Sequence, residues 1–164
     1  MHLAAMEWIA RFATEDEVKV LDVGGRNING TPRDLFPNAD YTTVDLVEHE
    51  SVDIVGDILK LDAKKLGGPF DIIIYAEVAE HTEDWAAHLA HLFGLLADDG
   101  VLVITAANLE RTPHSAIDGG QLRDGEFYEN IDPEVLTDAL YELSDYYQID
   151  VVGADVRAMA VGIH

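Results

Sequence analysis

Three carboxylates sit where short β-rich runs give way to glycine or a polar break: Asp22 in Asp22-Val23-Gly24-Gly25, Asp45 closing Tyr41-Thr42-Thr43-Val44-Asp45, and Asp57 in Gly56-Asp57. Glycines after a strand let the backbone turn sharply and approach a ligand closely. Asp45 lies about 20 residues beyond the first turn, the position of a carboxylate that accepts both hydroxyls of a ribose. Asp57 can accept from an exocyclic amino group such as that of adenine. Three acids along one edge tolerate a sulfonium and an α-amino group and repel a pyrophosphate. Each also has a plainer reading: a solvated strand end for Asp22 and Asp45, and ordinary turn chemistry for Asp57.

A second group follows the apolar run Phe70 to Tyr75: Ala76, Glu77, Glu80 and His81. An imidazole takes a proton near neutral pH, so His81 is a candidate general base, with Glu80 beside it. The plainer reading is a loop that leads into the next helix. His114 lies in the polar stretch Arg111 to Gly120, and Tyr128 follows it. Both are further candidates for base or substrate contact, if that stretch folds over the site. His88 and His91 fall on the polar face of a helix and are expected to be solvated. Glu77, Glu80 and His81 lack a recognised ligand spacing, so no metal is expected.

The elements that must position these groups alternate. Leu3, Met6, Ile9 and Phe12 recur at helical spacing. Lys19 to Val23, Tyr41 to Asp45, Val52 to Val55, Phe70 to Tyr75 and Val101 to Thr105 read as strands. Phe70 to Tyr75 is apolar on both faces, as a central parallel strand should be. Thr82 is expected to cap a helix with Glu83 and Asp84 in its first turn and an apolar stripe of Trp85, Leu89, Leu92, Phe93 and Leu96. Asp98-Asp99-Gly100 is expected to end it. Asn108 to Asn130 is a long polar connection, and loops of that length are usually functional or disordered. Asp132-Pro133 opens another helix, with proline at its favoured first position. Tyr146 to Val152 and Arg157 to Ile163 close the chain as a hairpin linked through Gly153-Ala154-Asp155. Such alternation argues a mostly parallel sheet covered on both faces, with ligands beyond the C-terminal strand ends.

Composition narrows the partners. The 164 residues carry 32 acids against 10 bases, a net charge of −22. That surface repels nucleic acid and anionic lipid, so neither is expected as a partner. The acids are spread along the chain; a high-salt source and ordinary solubility bias both account for them. No cysteine is present, which excludes disulfides and thiolate chemistry and suits a cytoplasmic setting. No leader or membrane span is legible, and residues 1–164 are expected to form one domain.

Together these features resemble the class I S-adenosylmethionine (SAM)-dependent methyltransferases over nearly the whole chain. Lys19 to Gly25 resembles their first motif, Tyr41 to Leu46 their acidic second strand, and Gly56-Asp57-Ile58 their adenine-contacting motif. Phe70 to His81 is similar to their fourth-strand signature, and the final hairpin matches their antiparallel pair. The resemblance implies a Rossmann-like α/β three-layer sandwich, its mostly parallel seven-stranded sheet ending in a C-terminal antiparallel hairpin. It also implies SAM as cofactor. The carboxypropyl end of SAM would lie near Asp22, Gly24 and Gly25, its ribose at Asp45, its adenine near Leu46, Asp57 and Ile58, and its reactive edge near Ala76 and Glu77. The family's glycine loop is D/E-x-G-x-G-x-G, whereas Arg26 and Ile28 stand at the later glycine positions here. The loop must take another path, and Arg26 or Asn29 can meet the ligand carboxylate.

The expected function is methyl transfer to an O or N nucleophile of a small molecule. Glu80, His81, His114 and Tyr128 would stand on the substrate side, with Glu80, His81 and His114 as catalytic candidates. Two alternatives stay open: a SAM-binding module without turnover, and a nicotinamide-dependent oxidoreductase. The missing G-x-G-x-x-G pattern argues against the latter.

Overall fold

The computed structural model describes residues 3–28 and 30–162. It shows a seven-stranded sheet in the order β3-β2-β1-β4-β5-β7-β6. The strands are β1 (Lys19–Val23), β2 (Asp40–Asp45), β3 (Ile54–Val55), β4 (Phe70–Ala76), β5 (Leu96–Ala107), β6 (Tyr147–Val152) and β7 (Asp155–Val161). Strands β3, β2, β1, β4 and β5 pair in parallel, and β7 is antiparallel to both β5 and β6. This is the Rossmann-like sheet with a terminal antiparallel pair. Among the described residues, no helix is long and apolar enough to cross a membrane.

The alternation of side chains along β1 and β4 divides the core in two. Leu21, Val23, Ile73 and Tyr75 face one side, where α2 (Ala63–Leu66), α3 (Trp85–Phe93) and α4 (Pro133–Leu143) cover them with Leu66, Leu89, Leu92, Leu136 and Leu140. Val20, Ile72 and Ile74 face the other side, under Trp8 and Ile9 of α1 (Leu3–Ile9) and under Phe36. Burial on both faces makes the central strands near-continuous apolar runs. The Trp8 indole N–H donates to the Ala158 carbonyl at 3.2 Å, so the ring is both packed and satisfied.

Several local expectations are corrected. Helix α3 ends at Phe93, and Leu96 through Gly100 belong to β5, with a register shift opposite Phe70 and Ile72. Thr82 does not cap α3: its hydroxyl donates to the Val78 carbonyl at 3.0 Å, and Asp84 holds the position before the helix without a side-chain bond. Glu83 and Asp84 thus precede the first turn. His88 and His91 are half-buried: His88 Nδ1 lies 3.1 Å from the Tyr75 hydroxyl and His91 Nε2 lies 2.9 Å from the Leu61 carbonyl. Among the described residues between β1 and β2, only a 3₁₀ turn forms, Pro32–Leu35. Thr31 accepts from Arg33 N–H at its start, and the proline suits a first turn.

Candidate functional site

The strand ends of β1 and β4 open into a cavity of about 850 Å³, roofed by residues of the long connection after β5. Its volume is that of a small-molecule site. Gly24, Gly25 and Arg26 form one wall, Ala76, Glu77 and His81 a second, and Arg111, His114 and Ser115 the roof.

Both glycines are sterically required. Gly24 has φ 71°, and a Cβ there would lie 2.4 Å from Val78 Cγ2. A Cβ on Gly25 would lie 2.4 Å from Asp22 Cγ. Asp22 itself is buried, and Tyr41 donates its hydroxyl to Asp22 Oδ2 at 2.7 Å. Burial pushes the Asp22 carboxyl up to about 6, against the lowering effect of the Tyr41 bond and of Arg33. The sequence reading of Asp22 as a solvated or ligand-facing strand end is therefore incomplete. It lines the cavity, yet its nearest polar partner is Tyr41.

The loop past Gly25 takes its own path. Asn27 accepts from Gly30 N–H at 3.0 Å and donates its own N–H to Ser51 Oγ at 2.9 Å. Arg26 Nη2 donates to the Ala116 carbonyl at 3.3 Å, while its buried Nε–H has no partner among the described residues. Asn29 lies outside the described residues.

Asp45 is half-exposed at the end of β2 and accepts from Val47 N–H at 2.8 Å. Leu46 is exposed beside it. Asp57 caps a 3₁₀ turn through Leu59 N–H, and the Lys60 ammonium 2.9 Å away holds its carboxyl below the usual range. Ile58 is a core residue, so its side chain faces the interior. These four residues lie outside the lining of the large cavity.

Glu77 stands at the turn out of β4 with φ 58°, a left-handed conformation rare outside glycine and typical of functional turns. Its N–H donates to the Thr105 carbonyl at 2.8 Å, and Thr105 Oγ1 donates to Glu77 Oε1 at 2.9 Å. Arg111 Nη2 lies 3.3 Å from Glu77 Oε2 and 3.2 Å from Asp155 Oδ1. Sequence reasoning missed Arg111, Thr105 and Asp155. The signal for Arg111 was its rarity, one of 10 bases among 32 acids.

Glu80 is wholly buried. Its Oε1 accepts from Ala107 N–H at 3.2 Å, and its backbone carbonyl accepts from Glu129 N–H at 2.8 Å. Burial, then the neighbouring Glu77 carboxylate, pushes its carboxyl up to about 8. His81, His114 and Tyr128 stack edge-on in a ring, with centroids 5.0, 5.1 and 5.3 Å apart. Burial, then His114, lowers the His81 imidazole, and burial raises the Tyr128 phenol to about 12. The structure thus brings together all four residues singled out for the substrate side. The connection that carries two of them is tied down: Ser115 donates to Glu126 at 2.7 Å, Asn130 donates to the Arg111 carbonyl at 2.9 Å, and His114 bridges to Gln121.

Residues 1–132 match a family model described as a methyltransferase domain. No curated protein matches the sequence. Solved structures are similar in fold. One is Burkholderia thailandensis 1,6-didemethyltoxoflavin-N1-methyltransferase, crystallised with 1,6-didemethyltoxoflavin and S-adenosylhomocysteine. It is 18% identical with a TM-score of 0.69, over 98% of this chain and 79% of that one. The N-methyltransferase NodS of Bradyrhizobium japonicum, in complex with S-adenosylhomocysteine, is 17% identical with a TM-score of 0.65, over 98% and 86%. The YcgJ protein of Bacillus subtilis is 12% identical with a TM-score of 0.72, over 99% and 100%.

Proposed function

The chain belongs to the methyltransferase-domain family, of the class I SAM-dependent kind, and from that premise we propose that it transfers a methyl group from SAM to an O or N nucleophile of a small molecule. The observation that carries this reading is a cavity in which the glycine turn after β1 meets the His81–His114 wall.

The residues present fit the cofactor. Arg26 offers a buried Nε–H with no partner among the described residues, suited to a carboxylate. Gly24 and Gly25, which cannot carry a Cβ here, leave the backbone open to close approach. Asp45 stands half-exposed at the end of β2 to accept ribose hydroxyls. Leu46, Asp57 and the backbone at Ile58 would border the adenine, while Ala76 and Glu77 flank the reactive edge. When bound, SAM supplies a methyl on a sulfonium: its C–S bond breaks as the bond to the acceptor forms, the sulfur keeps the electron pair, and the acceptor sheds a proton.

The chain's own contribution is mostly positioning, because the leaving group is already good. Arg111 and Thr105 fix the Glu77 carboxylate toward the cavity wall. His81, His114 and Tyr128 form the acceptor side, and the imidazoles are the groups that can take the acceptor's proton.

Calorimetric titration with SAM and S-adenosylhomocysteine, in low and high salt, tests the reading. Micromolar binding of both, abolished by Asp45→Ala, supports it and justifies an acceptor screen. Binding without turnover on any acceptor leaves a SAM-binding module. The absence of heat and of a thermal shift in either salt sinks the proposal.

A further inference from the structure

Glu80, His81 and His114 offer one ligand atom each, all within 4.8 Å of one another, the one such trio among the described residues. Three ligands of one cation at bonds of roughly 2.0–2.2 Å lie about 3–4 Å apart, so small side-chain rotations close the set. Two of the three, the buried Glu80 and the half-buried His81, carry a buried atom that goes begging. Glu80 Oε2 and His81 Nδ1 find no hydrogen-bond partner among the described residues, although Glu80 is 0% exposed. An unsatisfied carboxylate oxygen in the interior is costly, and a bound ion is one of the few things that accounts for it. The Thr112 carbonyl lies 3.3 Å from His114 Nδ1. A carbonyl there holds the proton on Nδ1 and leaves the Nε2 lone pair for a ligand bond.

We propose that Glu80, His81 and His114 bind one divalent transition cation of the zinc, manganese or iron(II) class. Two imidazole nitrogens and one carboxylate oxygen suit those ions better than magnesium or calcium, which take oxygen shells. His81 and His114 line the cavity and Glu80 lies beneath them. The cation's remaining positions therefore open toward the cavity. There an oxygen of the methyl acceptor completes the shell and releases its proton to water more readily, a role that replaces the two imidazoles as base, since their lone pairs are then held by the cation. This last step rests on the methyl-transfer reading and narrows its acceptor to a hydroxyl; the metal site itself does not depend on it.

The test is a cobalt(II) titration of chelator-stripped protein in high salt, where binding to the acidic surface is screened. The expected result is one saturable site per chain with visible ligand-field absorption, bleached by zinc. Glu80→Gln keeps the Oε1 acceptor for Ala107 N–H and changes only the free oxygen; His114→Ala lies in the connection over the site. Each should weaken cobalt binding at least about tenfold. A site that is absent, or unchanged in both variants, overturns the proposal and assigns the cation to surface acids. If Glu80→Gln fails to fold, His114→Ala decides alone. SAM calorimetry on the same samples separates the two readings. Cobalt without SAM leaves the metal site and removes methyl transfer; SAM without cobalt does the reverse.

Discussion

Tyr41 donates its hydroxyl to Asp22 Oδ2 at 2.7 Å across the β1–β2 pair, beneath the glycine turn that borders the cavity. That one bond does not offset burial, and the carboxyl rises from 3.8 to about 6. The consequence for stability has a definite sign. Below about pH 3.8 the carboxyl is protonated in both folded and unfolded chains, and the folded state carries no penalty. Between 3.8 and about 6 the unfolded chain releases its proton first, so this group's contribution falls as pH rises. Above about 6 the full penalty stands, on the order of 3 kcal/mol at about 1.4 kcal/mol per pH unit. Asp22→Asn keeps an acceptor for Tyr41 and removes the charge. Urea unfolding should show the variant more stable than the parent at pH 8 and equal to it near pH 3.5. An equal difference at both values would mean that the charge is not the cause.

Gly24→Ala places a methyl 2.4 Å from Val78 Cγ2 at φ 71°. The left-handed conformation alone costs about 1–2 kcal/mol for a residue with a Cβ, and the clash adds to it. Val78→Ala removes the clash and leaves the backbone strain. Chemical denaturation of the two single variants and the double should give a favourable coupling of about 1 kcal/mol or more. Additivity would show that the loop simply moves away.

Arg111 joins Glu77 and Asp155 with side chains 26%, 15% and 10% exposed, enough burial for the network to matter. Arg111→Ala takes the shared cation from the half-buried Glu77 and the buried Asp155, which keeps Arg157 at 3.8 Å, and should cost about 2 kcal/mol. If Glu77 flanks SAM as proposed, the substitution should also weaken SAM binding, because Glu77 loses a partner that orients it. Arg111→Lys restores a charge but not a fork that reaches both acids, so melting should recover further than affinity does. Equal recovery of both would reduce Arg111 to a simple counter-charge.

The sequence made the parallel strands legible because burial on both faces writes them as unbroken apolar runs. It failed at Leu96, which continues the apolar stripe of α3 although Gly94 has already ended the helix; Leu96 instead pairs with Phe70 in the sheet. Short apolar runs do not distinguish the two periods. At the site, Gly25 was legible as a turn, but its cause was not. It is the residue's own neighbour, the buried Asp22 carboxyl, that leaves no room for a Cβ. Glu80 and His81 were legible as a pair after β4. Their meeting with His114 was legible only on the condition that the connection folds over the site, because that residue arrives from an irregular segment whose path is set by Asn108, Ser115 and Asn130 bonds rather than by any periodicity.

The charge of −22 predicts a salt dependence that the local structure only partly relieves. Exposed pairs such as Arg33–Asp53 and Lys60–Asp57 use several of the 10 bases, and most acids have no cation to meet. Self-repulsion of unpaired surface acids weakens the compact state, and it decays as the screening length shrinks from about 10 Å at 0.1 M salt to about 3 Å at 1 M. The melting midpoint should therefore rise between those concentrations of sodium chloride, by about 2–4 °C for each kcal/mol of repulsion removed. The same ionic strength set with potassium chloride should give the same rise, since screening depends on charge and not on the ion. A midpoint that stays flat in both salts would mean that the acids are far enough apart, or well enough hydrated, to leave folding untouched.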